Sequence, residues 1–242
     1  VSKGLSIALS GALAQQDALD ATATNVANAS SAGYQRLRPI FRAVLAKVKD
    51  GSPAIRHVAV ERMALDRTPG APRVTGSALD AVLPSGAYLA VSTPRGERYT
   101  RAVSLTVGED GALKTTSGAP VTGEGGSPVV VSPKGGPVSL DADGTVKQAQ
   151  ATIGKLRIVT FERADALAPE GGRLLGAAGA GAASPSTDPL QVGAVEDSNA
   201  QPVTEMTELM TATRTFDAFQ KVLDTLGDVD RRLLTTVPNP GD

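Results

Sequence analysis

The chain has 242 residues, no cysteine, and 24 Lys plus Arg against 25 Asp plus Glu, for a formal net charge of −1. The missing thiols exclude disulfides, thiolate metal sites and thiol catalysis, and the balanced charge offers no field for nucleic acid or an anionic membrane. With aromatics at only 3%, no Trp, 26 Gly and 16 Pro, the composition suits a turn-rich β body with small side chains better than a deep ligand cavity.

The first element is an apolar seam. Leu5, Leu9, Ala12, Gln16, Leu19, Ala23 and Val26 recur at alternating spacings of four and three, with Gln16 the one polar position, which predicts a heptad-patterned helix. It should stop near Asn28, because Asn and Ser compete for backbone hydrogen bonds and Gly33 tolerates positive φ. Lys3 is isolated and is followed by Ser6, Ser10, Gln15, Gln16 and Asp17, unlike the apolar centre of a signal peptide. No run of eighteen apolar residues exists, so no lipid-embedded segment is expected.

Residues 37–75 read as a connector, ending in the Pro- and Gly-containing run Arg67 to Arg73. From Leu79 the period changes to two. Tyr88, Ala90 and Leu89, Val91 alternate, and strand-like runs flank the turn signal Gly108-Glu109-Asp110-Gly111. Val129-Val130-Val131 sits among Gly and Pro residues and reads as an edge or exposed strand. Val138-Ser139-Leu140, the Asp143-Gly144 turn, Thr145-Val146 and Leu156 to Phe161 continue a β body over 76–175. Gly176 to Pro189, rich in Gly, Ala, Ser and Pro, predicts a linker over 176–194.

The last element is a second seam, from Val203 to about Leu234. Leu209, Ala212, Phe216, Phe219, Leu223, Leu226, Asp230 and Leu233 are spaced three, four, three, four, with Asp230 alone polar. Glu205 and Glu208 near the start and Arg231 and Arg232 near the end suit the helix dipole. Heptads call for a partner without saying whose: the other helix of the same chain, or helices of other copies.

Candidate chemistry fails on geometry or ligand count. His57 is the only histidine, which leaves no two-histidine mechanism or histidine-rich metal site. Counting a calcium loop from Asp141 puts Val146 at the required Gly and Thr152 at the required Glu. Gly123-Glu124-Gly125-Gly126 lacks a dinucleotide fingerprint's third glycine, Gly154-Lys155 is no phosphate loop, and no G-x-S-x-G is present. No catalytic, cofactor or metal site is expected. Asn25, Asn28, Ser198 and Asn199 flank the predicted helix ends and read first as caps, worth about 1 kcal/mol each.

Several runs together resemble a known family. Ser10-Gly11, Gln15-Gln16, Leu19-Asp20, Asn25-Val26-Ala27-Asn28 and Gly33-Tyr34-Gln35-Arg36 are similar to the N-terminal signature of the flagellar basal-body rod and hook proteins, with Ser31-Ala32 where Thr-Pro is usual. Glu196 to Met206 resembles that family's C-terminal L-E-x-S-N-V-[ND]-x-V-x-E-M, and Gly96-Glu97-Arg98-Tyr99-Thr100-Arg101 its G-x-x-Y-T-R. Gly154 to Phe161 with Leu167 and Gly171 to Leu174 is most like the proximal-rod member.

The resemblance implies an α+β fold: long N- and C-terminal helices packed together as a coiled-coil-like stem, with a mainly antiparallel β body inserted between them. It implies a helical assembly domain from residues 1–36 and 195–242. It also implies a non-enzymatic, torque-transmitting rod subunit without cofactor that polymerises with itself and with other rod proteins. Export through the flagellar type III apparatus without a cleaved signal peptide, and residence in the periplasmic rod of the basal body, are further implications. The assembly positions it points to are Leu5, Leu9, Ala12, Leu19, Asn25, Val26, Asn28, Gly33, Tyr34, Ser198, Asn199, Leu209, Ala212, Phe216, Phe219, Leu223, Leu226 and Leu233. A distal-rod or hook-type axial protein, a secreted coiled-coil adhesin and a β-rich hydrolase are the alternatives; the last would need a triad or paired carboxylates that the sequence does not assemble.

Overall fold

The computed structural model describes residues 3–46, 55–171 and 173–236. In chain order the elements are α1 (Lys3–Ala27), β1 (Leu37–Ala46), β2 (Ile55–Leu65), β3 (Pro72–Val74), β4 (Asp80–Val82), β5 (Ala87–Thr93), β6 (Gly96–Thr100), β7 (Val103–Val107) and β8 (Leu113–Thr115). There follow β9 (Val138–Leu140), β10 (Thr145–Gln148), β11 (Ala151–Lys155), β12 (Ile158–Phe161), β13 (Ala168–Pro169), β14 (Leu175–Gly176), β15 (Ala183–Pro185), β16 (Gln191–Val192), β17 (Ala194–Glu196) and α2 (Pro202–Thr236). The class is α+β. The chain divides into two compact units: Val1–Val26 with Leu37–Ala64 and Pro202–Asp242, and Ala27–Arg36 with Leu65–Gln201.

The first unit holds both helices and the β1–β2 ribbon. α2 opens with Pro202, whose missing N–H costs nothing at a helix start, and Glu205 lies in its first turn, where the dipole favours acid. Rising numbers on α1 meet falling numbers on α2, so the pair is antiparallel. A Cβ on Gly4 would lie 3.8 Å from Leu226, a Cβ on Gly11 only 2.6 Å from the Phe219 ring, and Gln15 Nε2 donates to the Ala212 carbonyl at 3.3 Å.

The coiled-coil-like stem predicted from the heptads is not what forms. On α1 the residues turned inward are Ala8, Ala12, Ala14, Ala21, Thr22 and Asn25, while Leu9 and Leu13 are 50% and 56% exposed. Of the predicted α1 seam, Ala12 is buried, Leu5, Leu19 and Val26 are half-buried, and Leu9, Gln16 and Ala23 face solvent. The reason is size. Phe219 packs where Gly11 has no side chain, and at that separation an Ala fits facing the partner whereas a Leu does not. On α2, Ala212 is buried, but Leu209, Phe216, Phe219, Leu223 and Leu226 are only half-buried. A knobs-into-holes seam would enclose such residues; here one helix lies against another along a narrow line of small residues. The side chains of Asp230 and Leu233 lie outside those described.

Residues 37–65, read above as connector, carry the two long strands of the β1–β2 ribbon. Arg38, Pro39 and Arg42 interrupt the apolar alternation of β1 and hide it from a periodicity count.

The second unit is antiparallel throughout its paired strands. A six-stranded sheet runs β13-β14-β6-β5-β12-β15, a four-stranded one β16-β4-β7-β8, a three-stranded one β11-β10-β9, and β17 pairs β3. β5 lies inside the six-stranded sheet and is buried on both faces: Ala87, Leu89 and Val91 enter one core cluster, Tyr88 and Ala90 the other. The first cluster collects Leu83, Leu105, Leu113, Val121, Val146 and Leu156 among others. The second is built on Tyr99 and Phe161, whose rings meet edge to face at 4.7 Å. Val129 and Val131 belong to the first cluster and only Val130 faces solvent, so this run is core and not the exposed strand its Gly and Pro neighbours imply. Backbone bonds from Leu113 and Val131 to Val129 and Gly111 hold it there.

Candidate functional site

Two of the polar residues that flank the helices, Asn25 and Asn199, clasp distant segments of the chain, and a buried ion pair makes a third clasp. Asn25, 1% exposed, mimics a backbone unit: its Nδ2 donates to the Leu37 carbonyl at 3.0 Å while its Oδ1 accepts from Leu37 N–H at 2.8 Å. The same Nδ2 reaches Glu205 Oε2 at 3.0 Å, which joins α1, β1 and α2 through one amide. Glu205 is itself buried. Only an amide fits, since the carbonyl and the carboxylate both need a donor and the Leu37 N–H needs an acceptor.

The second clasp is Asn199. Its Nδ2 donates to the carbonyls of Asp66 and Thr68, both at 2.8 Å, and its Oδ1 accepts from Arg36 N–H at 2.7 Å. Asn199 N–H bonds the carbonyl of Tyr34, which is buried. Ser198 Oγ accepts from Ala200 N–H at 3.1 Å, and Asn28 Oδ1 accepts from Ser31 Oγ at 3.2 Å, so these two shape local turns.

The third clasp was not legible from spacing. Arg101 and Glu196, 95 positions apart, have side chains only 3% exposed. The guanidinium donates from Nε to both carboxylate oxygens, at 3.2 and 2.9 Å, and from Nη2 to Oε2. Its remaining donors reach the carbonyls of Ala87 at 2.8 Å and of Pro84 and Leu83 at 3.2 Å. Glu196 Oε1 also accepts from Gly70 N–H at 3.0 Å, and the Glu196 carbonyl accepts from Gly33 N–H at 2.7 Å. Every donor of a buried guanidinium therefore has a partner, which such a charge requires. The guanidinium carbon stands 5.9 Å from the centre of the Tyr88 ring. Burial pushes the Tyr88 hydroxyl above its usual pKa, against the lowering effect of Arg101.

Two glycines are demanded by this arrangement. Gly33 sits at φ +66°, and a Cβ there would lie 2.5 Å from Ala102 N; a Cβ on Gly70 would overlap the Asp197 carbonyl oxygen. Gly33 is legible as a turn residue and Glu205 as an acid suited to the helix dipole, but the sequence points to no partner for Glu205 and to no role for Gly70, Arg101 or Glu196, although Arg101 and Glu196 fall inside the motif runs quoted above.

The three clasps bring together the chain that leaves the N-terminal helix and the chain that enters the C-terminal one. Those are the two runs on which the resemblance to rod and hook proteins rests. Residues 191–236 match the family model described as Flagellar basal body rod FlgEFG protein C-terminal. The chain is 32% identical over 231 residues to the flagellar basal-body rod protein FlgF of Caulobacter vibrioides, covering 94% of each. The chain belongs to the FlgF family of flagellar basal-body rod proteins. Within it, the FlgF of Salmonella typhimurium is 34% identical over 87% of this chain and 88% of its own length. The FlgG of Bacillus subtilis, a flagellar basal-body rod protein of the related kind, is 26% identical over 93% of this chain. As a FlgF-family member the chain is a structural protein of the flagellar basal body and not an enzyme. No helix among the described residues is long and apolar enough to cross a membrane.

Of the predicted assembly positions Leu9 is exposed, and further apolar residues outside that prediction are exposed on both helices. Leu9 and Leu13, one turn apart, stand out from α1, Ile7 stands out on another side of it, and Val203, Met206 and Met210 stand out from the start of α2. Isolated apolar residues on a surface are ordinary, but rows of them at helical spacing are not.

Proposed function

We propose that the chain is a proximal-rod subunit that polymerises through its terminal helices with copies of itself and with other rod proteins. The carrying observation is the outward pair Leu9 and Leu13, one turn apart on α1, exposed while Ala8 and Ala12 are buried. A helix that needed only its own partner would turn its leucines inward and its alanines out. Leu5, Leu9, Ala12, Leu19 and Val26 on α1 and Leu209, Ala212, Phe216, Phe219, Leu223, Leu226 and Leu233 on α2 then serve the assembly with both faces, one within the chain and one between subunits. Asn25, Asn28, Gly33, Tyr34, Ser198 and Asn199, at the ends of the helices, are further assembly positions in this reading.

In this reading residues 1–36 and 195–242 are the assembly domain, 37–75 and 176–194 join it to the body, and 76–175 form the β body. Head-to-tail contacts that do not close in a ring generate a helical shaft, and its stiffness transmits torque. Delivery is by the flagellar type III export apparatus. The test is complementation of a strain lacking the gene with an epitope-tagged chain. Restored motility, with the tag retained in purified basal bodies between the export gate and the distal rod, is expected; motility restored with the tag absent from basal bodies refutes the reading.

A further inference from the structure

The turn that follows α1 is held at its middle. Tyr34 N–H bonds the Ser31 carbonyl at 3.2 Å, and Gly33, third of the four residues, sits at φ +66°. A positive φ at the third residue alone marks a type II turn. Types I and II differ by a rotation of the peptide unit between the two central residues, which takes φ at the third from about −90° to about +80°. Here that unit is the Ala32–Gly33 peptide, and both its ends are bonded. Gly33 N–H reaches the Glu196 carbonyl at 2.7 Å, and the Ala32 carbonyl accepts from Arg173 Nη1 at 3.0 Å. Turning the peptide over breaks both bonds. A proline as second residue would fix φ at about −65° and, before glycine, favour this same turn. Ala32 lacks that constraint, so the peptide is oriented by its two bonds, one of them from a side chain 141 positions away.

Arg173 is itself an unusual residue for its place. It sits at φ +66°, in the left-handed region that side chains rarely adopt and glycine enters freely. Such a conformation persists only where its surroundings over-determine it. Arg173 lies at the tip of the β13–β14 hairpin, where Glu170 N–H bonds the Leu174 carbonyl and Leu174 N–H the Gly171 carbonyl, both at 2.9 Å. Glu170 Oε2 accepts from Arg98 Nε of β6 at 2.7 Å, which ties the tip to the sheet. The other arm of the guanidinium, Nη2, donates to Thr116 Oγ1 at 3.0 Å. Glycine would close the hairpin without strain, so what offsets the strain of an arginine is the pair of charge-assisted bonds its fork makes.

We infer that Arg173 is a lock on the turn by which the chain leaves α1: its guanidinium selects the orientation of the Ala32–Gly33 peptide, the constraint that a proline at position 32 would supply. Without the lock the turn exchanges between its two forms, and Gly33 N–H parts from the Glu196 carbonyl. Gly33 and Tyr34 serve assembly in the reading above, and the inference rests on that reading for its biological setting alone. The lock is tested in solution, so a chain absent from basal bodies would leave it standing.

Amide hydrogen exchange on the purified chain, followed by NMR, reads the turn residue by residue. Arg173→Gly removes the side chain and the left-handed strain together, so Gly33 N–H should exchange about tenfold faster or more while the amides of β5 keep their protection. Arg173→Asn, tolerated in the left-handed region but too short to reach Ala32, should do the same. Ala32 N–H has no partner among the described residues, so Ala32→Pro removes no hydrogen bond. Added to Arg173→Gly, it should return Gly33 to within about threefold of wild type. Unchanged exchange at Gly33 in Arg173→Gly, or an acceleration shared equally by the β5 amides, overturns the lock. A rise at Gly33 that Ala32→Pro leaves in place overturns it as well.

Discussion

Removing Arg101 tests whether the buried ion pair holds the second unit together. In Arg101→Met the aliphatic stem is kept, but the Glu196 carboxylate, with a side chain 3% exposed, is left with Gly70 N–H as its remaining side-chain bond. The carbonyls of Leu83, Pro84 and Ala87 lose their donors at the same time. Breaking a buried pair by deleting one partner costs about 3–5 kcal/mol, most of it from the charge left behind. For a chain of this size each kcal/mol moves Tm by roughly 2–4 °C, so a fall of about 6–20 °C is expected. The double variant Arg101→Met with Glu196→Leu removes both charges and should recover a large part of the loss, because an apolar pair of similar volume carries no stranded charge. The assay is calorimetric unfolding of wild type, both single variants and the double. A fall below about 3 °C for Arg101→Met, or a double variant whose loss equals the sum of the singles, refutes the reasoning.

Three further outcomes follow from the same contacts. Asn25→Asp places a carboxylate beside Glu205 and against the Leu37 carbonyl, and should destabilise the helical unit more than Asn25→Ala does, read from the helix signal at 222 nm during urea unfolding. Gly11→Ala drives a methyl into the Phe219 ring and should cost about 1–3 kcal/mol, much of which Phe219→Leu in the same chain returns; equal losses with and without Phe219→Leu would mean the helices do not touch there. Burial, with the hydrogen bond to Glu97, pushes Tyr99 up to about 12. The neutral phenol is thus favoured in the folded state, so its contribution is complete below about pH 10, the unfolded value, and is lost as pH rises through about 12. Tyr99→Phe should flatten that part of the alkaline stability curve, and an unchanged slope would contradict the assignment.

The sequence carried the fold unevenly. Part of the α2 seam is legible, because Phe219 and Leu226 are large and do lie against α1, beside Gly11 and Gly4. The α1 seam misleads at every second position: a heptad count favours Leu9, whereas close approach at Gly4 and Gly11 selects Ala8 and Ala12. The hairpins of the body follow from period two and from Asp143-Gly144, whose glycine adopts φ +85°. The β1–β2 ribbon does not, since its arginines and Pro39 break the alternation. Asn25 and Asn199 are conspicuous as residues near helix ends, but a cap and a clasp look the same until their distant partners are in place. Arg101 and Glu196 show the limit most clearly, because a charge ending a β-strand reads as solvated unless the residue 95 positions away is known to face it.

The outward leucines of α1 are the most direct test of the assembly. Leu9→Asp with Leu13→Asp changes exposed positions, so the purified chain should keep its Tm within about 2 °C, the usual range for surface substitutions. Quantified against another rod protein in isolated basal bodies, this variant is expected to be absent, whereas Val107→Asp on the exposed body surface is expected at wild-type level. Leu9→Asp with Leu13→Asp incorporated as fully as wild type would contradict the account.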